Sequence, residues 1–165
     1  MSDEALSKRD RMKLPRQQMP ERPPEQRARS FDEVNLGFSP ELAVMEAMRC
    51  LECRNAPCVA GCPVGVRINE FVPLLALGEW AAAAAVVASD NALPAVCGRV
   101  CPQEEQCEGA CVLAKKDRPI AIGHLERFIA DWSRDHPDHS IADRTYPPSG
   151  KRVAVIGSGP AGLSC

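Results

Sequence analysis

Aromatic residues are scarce, at 4% of the chain, and β-branched residues are few. That argues against a large sheet and for helices joined by loops. Charge of one sign is lacking too. The net charge is −2 and the pI is near 5.9, so nothing points to nucleic-acid binding. No apolar run approaches the length of a membrane span; the longest, Trp80 to Ala88, is short and rich in alanine. The opening MSDEALSKRD is charged at once and lacks the apolar stretch of a secretory leader. The thiols are therefore expected to be reduced, and the location cytoplasmic. Histidine is rare: three in 165 residues, none of them between Cys50 and Cys111.

What the sequence does have is cysteine, in two tight groups. The first is Cys50, Cys53, Cys58 and Cys62, followed by Pro63: C-x2-C-x4-C-x3-C-P. The second is Cys97, Cys101, Cys107 and Cys111, with Pro102 after its second member: C-x3-C-P-x4-C-x3-C. Scattered core cysteines would not gather in this way. Thiolates at such spacing hold zinc or iron–sulfur clusters, or pair as disulfides. Disulfides suit small secreted chains. Zinc sites usually use two CxxC-like knuckles, whereas only Cys50 and Cys53 form such a pair here. The first run instead looks like a ferredoxin run, three close cysteines and then a remote Cys-Pro. Iron–sulfur ligation is the favoured reading. The alternative is a non-enzymatic interaction module stapled by zinc or by one cluster.

Fifteen prolines imply many connectors, and a core with few aromatics is small. Bound clusters would then supply much of the folding energy. Residues 1–30 are basic and proline-rich and read as a flexible or extended arm: a solvated tail, or a strap over a partner. Residues 31–133 read as one helical domain. Ser39-Pro40-Glu41 predicts a helix start, with a hydroxyl cap, Pro at the first helical position and an acid in the first turn. That helix would deliver Cys50. Pro57, Gly61 and Pro63 keep the first run irregular. Helices are expected from about Asn69 to Gly78 and from Trp80 to Ala88, as a hairpin between the runs. Asn91 to Pro94 reads as a turn into Cys97, with Gly98 and Pro102 holding an open loop. Glu104 to Leu113 is expected to be helical, with Cys107 and Cys111 on one face. Ile120 to Trp132 is the last predicted helix. Glu126 lies on it, and its spacing alone does not separate a ligand from a solvated acid.

Residues 134–150, with His136 and His139, read as a linker. Residues 151–165 then combine a buried-type strand, Val153 to Ile156, with Gly157-Ser-Gly159-Pro-Ala-Gly162. A glycine triplet directly after a strand is the dinucleotide fingerprint. Gly157 would allow the tight turn, Gly159 the approach of backbone to a pyrophosphate, and Gly162 close packing of helix on strand. The partner strand and the acidic ribose-binding residue that complete such a domain do not follow within the 165 residues. The stretch therefore reads as the truncated front of an FAD-binding Rossmann-like domain in a longer flavoprotein, and the 165 residues are not expected to be catalytic alone.

EAMRCLECRNAPCVAGCPVGVRINEF, NALPAVCGRVCPQEEQCEGACVL, PIAIGHLERFIADW and KRVAVIGSGPAGLSC resemble the N-terminal region of glutamate synthase small subunits. They also resemble that region in the large subunit of NADH-dependent reduced-ferredoxin:NADP oxidoreductase and the N-terminal part of dihydropyrimidine dehydrogenase. The resemblance runs from about Phe31 to the end. It implies an all-α fold, an α-helical ferredoxin domain with two cysteine loops and two [4Fe–4S] clusters, ahead of FAD- and NAD(P)H-binding domains. It implies electron transfer from NAD(P)H through FAD and the clusters to a second subunit. That partner would be like the glutamate synthase large subunit or the small subunit of the ferredoxin reductase.

The resemblance also implies a crossed ligand set. Cys50, Cys53, Cys58 and Cys111 would hold one cluster. Cys62, Cys101, Cys107 and Glu126 would hold the other, with Glu126 standing where dihydropyrimidine dehydrogenase has a Gln. Cys97 would then be free of iron. A set with Cys97 as ligand and Glu126 free remains open, because eight thiolates also suffice for two clusters.

Overall fold

The computed structural model describes residues 6–116, 118–137 and 147–165. Its regular elements are helices: α1 (Lys8–Arg11), α2 (Pro24–Arg27), α3 (Pro40–Ala47), α4 (Pro57–Ala60), α5 (Ile68–Ala76), α6 (Trp80–Asp90), α7 (Pro94–Val100), α8 (Ile122–Asp135) and α9 (Pro160–Ser164). Short 3-10 turns cover Gln103–Glu105 and Val112–Lys116. Among the described residues there is no strand, only an isolated bridge between Glu21 and Asn35.

The expected all-α body is present. Ser39 Oγ accepts from the Leu42 N–H at 3.3 Å, and Pro40 occupies the first turn of α3. Such a cap stabilises by about 1 kcal/mol. Cys50 follows α3 within one further turn, its N–H bonded to the Ala47 carbonyl. α5 ends before Gly78, whose φ of +76° is the left-handed conformation that suits glycine. α5 and α6 form the hairpin between the two runs, and α3 and α8 pack against it. Ala43 and Ala47, Phe71, Val72 and Leu75, Ala83, Ala84 and Val87, and Leu125 and Ile129 form its buried centre. The small residues of α3 and α6 let each approach its neighbours closely, α5 and α8 in both cases. No single helix among the described residues is long and apolar enough to cross a membrane.

Three expectations change. Pro94–Val100 is a helix, not an open loop, because Gly98 lets α7 press on α8. A Cβ at Gly98 would stand 2.6 Å from the Arg127 backbone nitrogen. The helix expected over Glu104 to Leu113 is absent. The Gln103 carbonyl accepts from the backbone N–H groups of Gln106, Glu108 and Gly109, which winds the chain into tight turns. The strand expected over Val153 to Ile156 is exposed backbone without regular structure; among the described residues no neighbouring strand supplies a ladder.

The N-terminal segment, expected as a flexible or extended arm, lies along the helical body where it is described, from residue 6 onward. Arg11 donates to the Cys50 carbonyl at 2.7 Å. Arg16 pairs with Glu108 at 2.7 Å, and the Gln17 N–H donates to Glu46 at 2.7 Å. Its basic side chains find partners far away in sequence, which composition does not reveal. Of the linker expected over 134–150, residues 138–146 lie outside the described set, His139 included. His136 stacks on Trp132 with ring centroids 4.4 Å apart.

Candidate metal centre

The two cysteine runs touch. A Cβ at Gly61 would lie 2.7 Å from the Ala110 Cβ and 2.9 Å from the Gln106 carbonyl oxygen. Gly61 precedes Cys62 and Ala110 precedes Cys111, so the two loops meet beside the last cysteine of each run. Glycine is required there because the facing atoms include backbone that cannot rotate away.

Two thiol neighbourhoods result, and each draws on both runs. Cys50, Cys53, Cys58 and Cys111 line one cavity, with Ile68, Val72, Leu113, Ile120 and Ile122 as apolar wall. Burial pushes the Cys50 thiol up, and Cys111 and Cys53 add to the effect. Cys58 is pushed up to about 11 by burial first, then by Cys50 and Cys111. The second neighbourhood holds Cys62, Cys97, Cys101, Cys107 and Glu126. Cys101 rises to about 11 through burial, then through Cys97, Glu126 and Cys62. Cys107 rises to about 12 through burial, Glu108, Cys62 and Glu126. Burial likewise raises the Glu126 carboxyl, opposed by a bond from Asn91.

All nine cysteines are free thiols. Acidic groups packed this closely disfavour their own ionisation, and only a cationic partner reverses that cost. The donor chemistry therefore fits a thiolate-bound metal group. Among the described residues no three His, Cys, Asp or Glu side chains converge tightly enough for a single ion.

Supporting residues escaped sequence reading. Glu46 and Arg49 are buried beside the first run. Arg49 pairs with Glu46 and donates to the carbonyls of Leu14 (3.2 Å), Pro119 (3.1 Å) and Arg118 (2.7 Å). Glu46 accepts the Ala121 N–H at 2.8 Å. Glu108 accepts the Gly123 N–H at 3.2 Å. Asn91 bonds Glu126 at 2.7 Å. The one available signal was Glu46 and Arg49 at i, i+3, directly ahead of Cys50.

At the other end, Gly157 and Gly159 lead into α9, and Gly162 lies within it. Gly157 has φ +113°, and a Cβ at Gly162 would meet the Gly157 carbonyl oxygen at 2.2 Å. Their close approach is real, but Val153 and Ile156 stand exposed beside it.

Comparison with known proteins agrees with this geometry. Residues 27–137 match the family described as dihydropyrimidine dehydrogenase domain II, 4Fe-4S cluster. The NAD-dependent dihydropyrimidine dehydrogenase subunit PreT of Salmonella typhimurium is 42% identical over 136 residues, 81% of this chain and 32% of that protein. The glutamate synthase [NADPH] small chain of Escherichia coli is 41% identical over 155 residues, 92% of this chain and 32% of that protein. The putative oxidoreductase AegA of Escherichia coli is 39% identical over 145 residues, 86% and 21%. The chain thus spans about a third or less of the length of these curated relatives. With paired cysteine loops in contact and more than half of its length matched, the chain belongs to the dihydropyrimidine dehydrogenase domain II, 4Fe-4S cluster, family of iron–sulfur domains found in oxidoreductases.

Proposed function

We propose that the chain is the electron-transfer module of an NAD(P)H- and FAD-dependent oxidoreductase, carrying two [4Fe–4S] clusters with crossed ligand sets. Cys50, Cys53, Cys58 and Cys111 would hold one; Cys62, Cys101, Cys107 and Glu126 would hold the other. The observation that carries this reading is the cavity lined by three thiols of the first run and the last thiol of the second. Bound, such clusters supply one-electron acceptor and donor chemistry.

The chain's own residues would bind, orient and insulate. Ile68, Val72, Leu113, Ile120 and Ile122 keep water from the first site, which raises the weight of every nearby charge and hydrogen bond on its potential. Glu46 and Arg49 hold the N-terminal segment, α3 and the chain ahead of α8 together. Arg11, on the Cys50 carbonyl, fixes the entry of the first run.

The turn of Gly157, Gly159 and Gly162 would open a dinucleotide-binding domain that takes FAD. The names of the relatives mention NAD, NADPH and subunits of larger enzymes. These support a nicotinamide nucleotide as electron source and a second oxidoreductase subunit as partner. The cytoplasm would be the location, as reduced thiols imply. Catalysis would belong to the longer protein.

Anaerobic reconstitution with iron and sulfide tests this. About eight irons and eight sulfides per chain are expected, with broad visible absorption bleached by reductant. Zinc bound without visible absorption would defeat the reading in favour of a stapled interaction module.

A further inference from the structure

Asn91 lies between α6 and α7 and is 7% exposed. Its Oδ1 accepts the Leu93 N–H at 3.0 Å. That bond fixes the amide's orientation, because a backbone N–H can only donate and the atom facing it must be the oxygen. The other end is therefore a donor, and Nδ2 gives its hydrogen to Glu126 Oε1 at 2.7 Å. The same Oδ1 stands 3.7 Å from Cys97 Sγ. A sulfur that keeps its proton can donate to that oxygen. A thiolate, the form that ligates metal, would face lone pairs. One amide thus presents a donor to a carboxylate and an acceptor to a thiol.

We propose that Asn91 is the positioning residue that selects the eighth ligand: its donor end orients Glu126 toward the second site, and its acceptor end holds Cys97 out of the ligand set. This rests on the reading that Glu126, not Cys97, is a ligand. Glu126 Oε1 is engaged by Asn91, and Oε2 makes no hydrogen bond among the described residues. Asn91 serves the turn into α7 through Leu93 as well, but a residue with only that duty would not need its second hydrogen-bonding end.

The full chain, reconstituted anaerobically, tests this through iron content and the reduction potential of each cluster. Cys97→Ala should match the wild type in both. Asn91→Ala should keep its iron but shift the potential of one cluster, because Cys97 then competes with Glu126. In the Asn91→Ala/Cys97→Ala double variant the part of that shift due to Cys97 should vanish, leaving only the part due to the lost hydrogen bond to Glu126. Asn91→Ser can still accept from Leu93 but is too short to reach Glu126, so it should behave like Asn91→Ala and carries the test if the alanine variant does not fold. Unchanged potentials in the Asn91 variants would overturn the selection while leaving Glu126 as a ligand. So would a shift that is undiminished without Cys97, or loss of the cluster from Asn91→Ser. Loss of a cluster from Cys97→Ala alone would overturn the ligand reading instead.

Discussion

Arg49 and Glu46 are 2% and 0% exposed, one turn ahead of the first cysteine. Apart from the bond between them, their side-chain bonds reach other segments: Leu14, Gln17, Arg118, Pro119, Ala121. Glu46→Ala leaves the Arg49 cation buried without its partner. It should cost about 3–5 kcal/mol of unfolding free energy, measured by denaturant titration. Gly98 makes a second prediction. Its missing Cβ lets α7 reach the α8 backbone, with the Arg127 nitrogen at 2.6 Å and its Cα at 2.8 Å. Gly98→Ala must push the helices apart and should cost about 1–3 kcal/mol. Neither residue was legible as such. An i, i+3 charge pair reads as a solvated helix face, and a glycine beside a cysteine reads as a loop opener, until the segment it touches is known.

Among the elements, α5 and α6 are locked at one end by Asp90. It accepts from the Arg67 backbone N–H and from Arg67 Nε, each at 3.0 Å. Burial works to raise the Asp90 pKa, but the bonds from Arg67 outweigh it and hold the carboxyl below its ordinary 3.8. A lowered folded value means that this lock contributes above pH 3.8 and fades as pH falls through the depressed pKa. Asp90→Asn should therefore be less stable than the wild type at neutral pH. The gap, read by denaturant titration across pH, should close only below 3.8.

Gly61 governs the contact between the cysteine loops. Gly61→Ala places a methyl against Ala110 and the Gln106 carbonyl and should reduce iron uptake, read as irons per chain. Where short-range signals act, the elements were legible: the Ser39 cap, Pro40, the left-handed Gly78 and the apolar spacing of α8 all marked real boundaries. Glu104 to Leu113 was expected to be a helix with Cys107 and Cys111 on one face, but three N–H groups converging on the Gln103 carbonyl wind turns there instead. Val153 to Ile156 has a strand's composition without a neighbour to pair with.

In the molecule as a whole, α3, α5, α6 and α8 form a small core, and the two cysteine loops lie against it. Cys107 is buried within that core, and Cys50, Cys58, Cys62 and Cys111 pack at its edge. Metal binding and folding should then be coupled. Stripping iron with a chelator should lower the midpoint and the cooperativity of thermal unfolding, followed by circular dichroism. The pairing of the runs was expected from the resemblance to dihydropyrimidine dehydrogenase, not from their spacing. That Gly61 and Ala110 are the point of contact was not, since no local pattern encodes an encounter between residues so far apart in the chain.

The crossed grip is tested most directly by electron paramagnetic resonance of the reduced, reconstituted chain carrying Cys111→Ser. If Cys111 serves the site built by Cys50, Cys53 and Cys58, the variant should lose the signal that Cys53→Ser loses and keep the signal that Cys107→Ser loses. A Cys111→Ser spectrum matching that of Cys107→Ser would mean that each run wraps its own metal, and would contradict it.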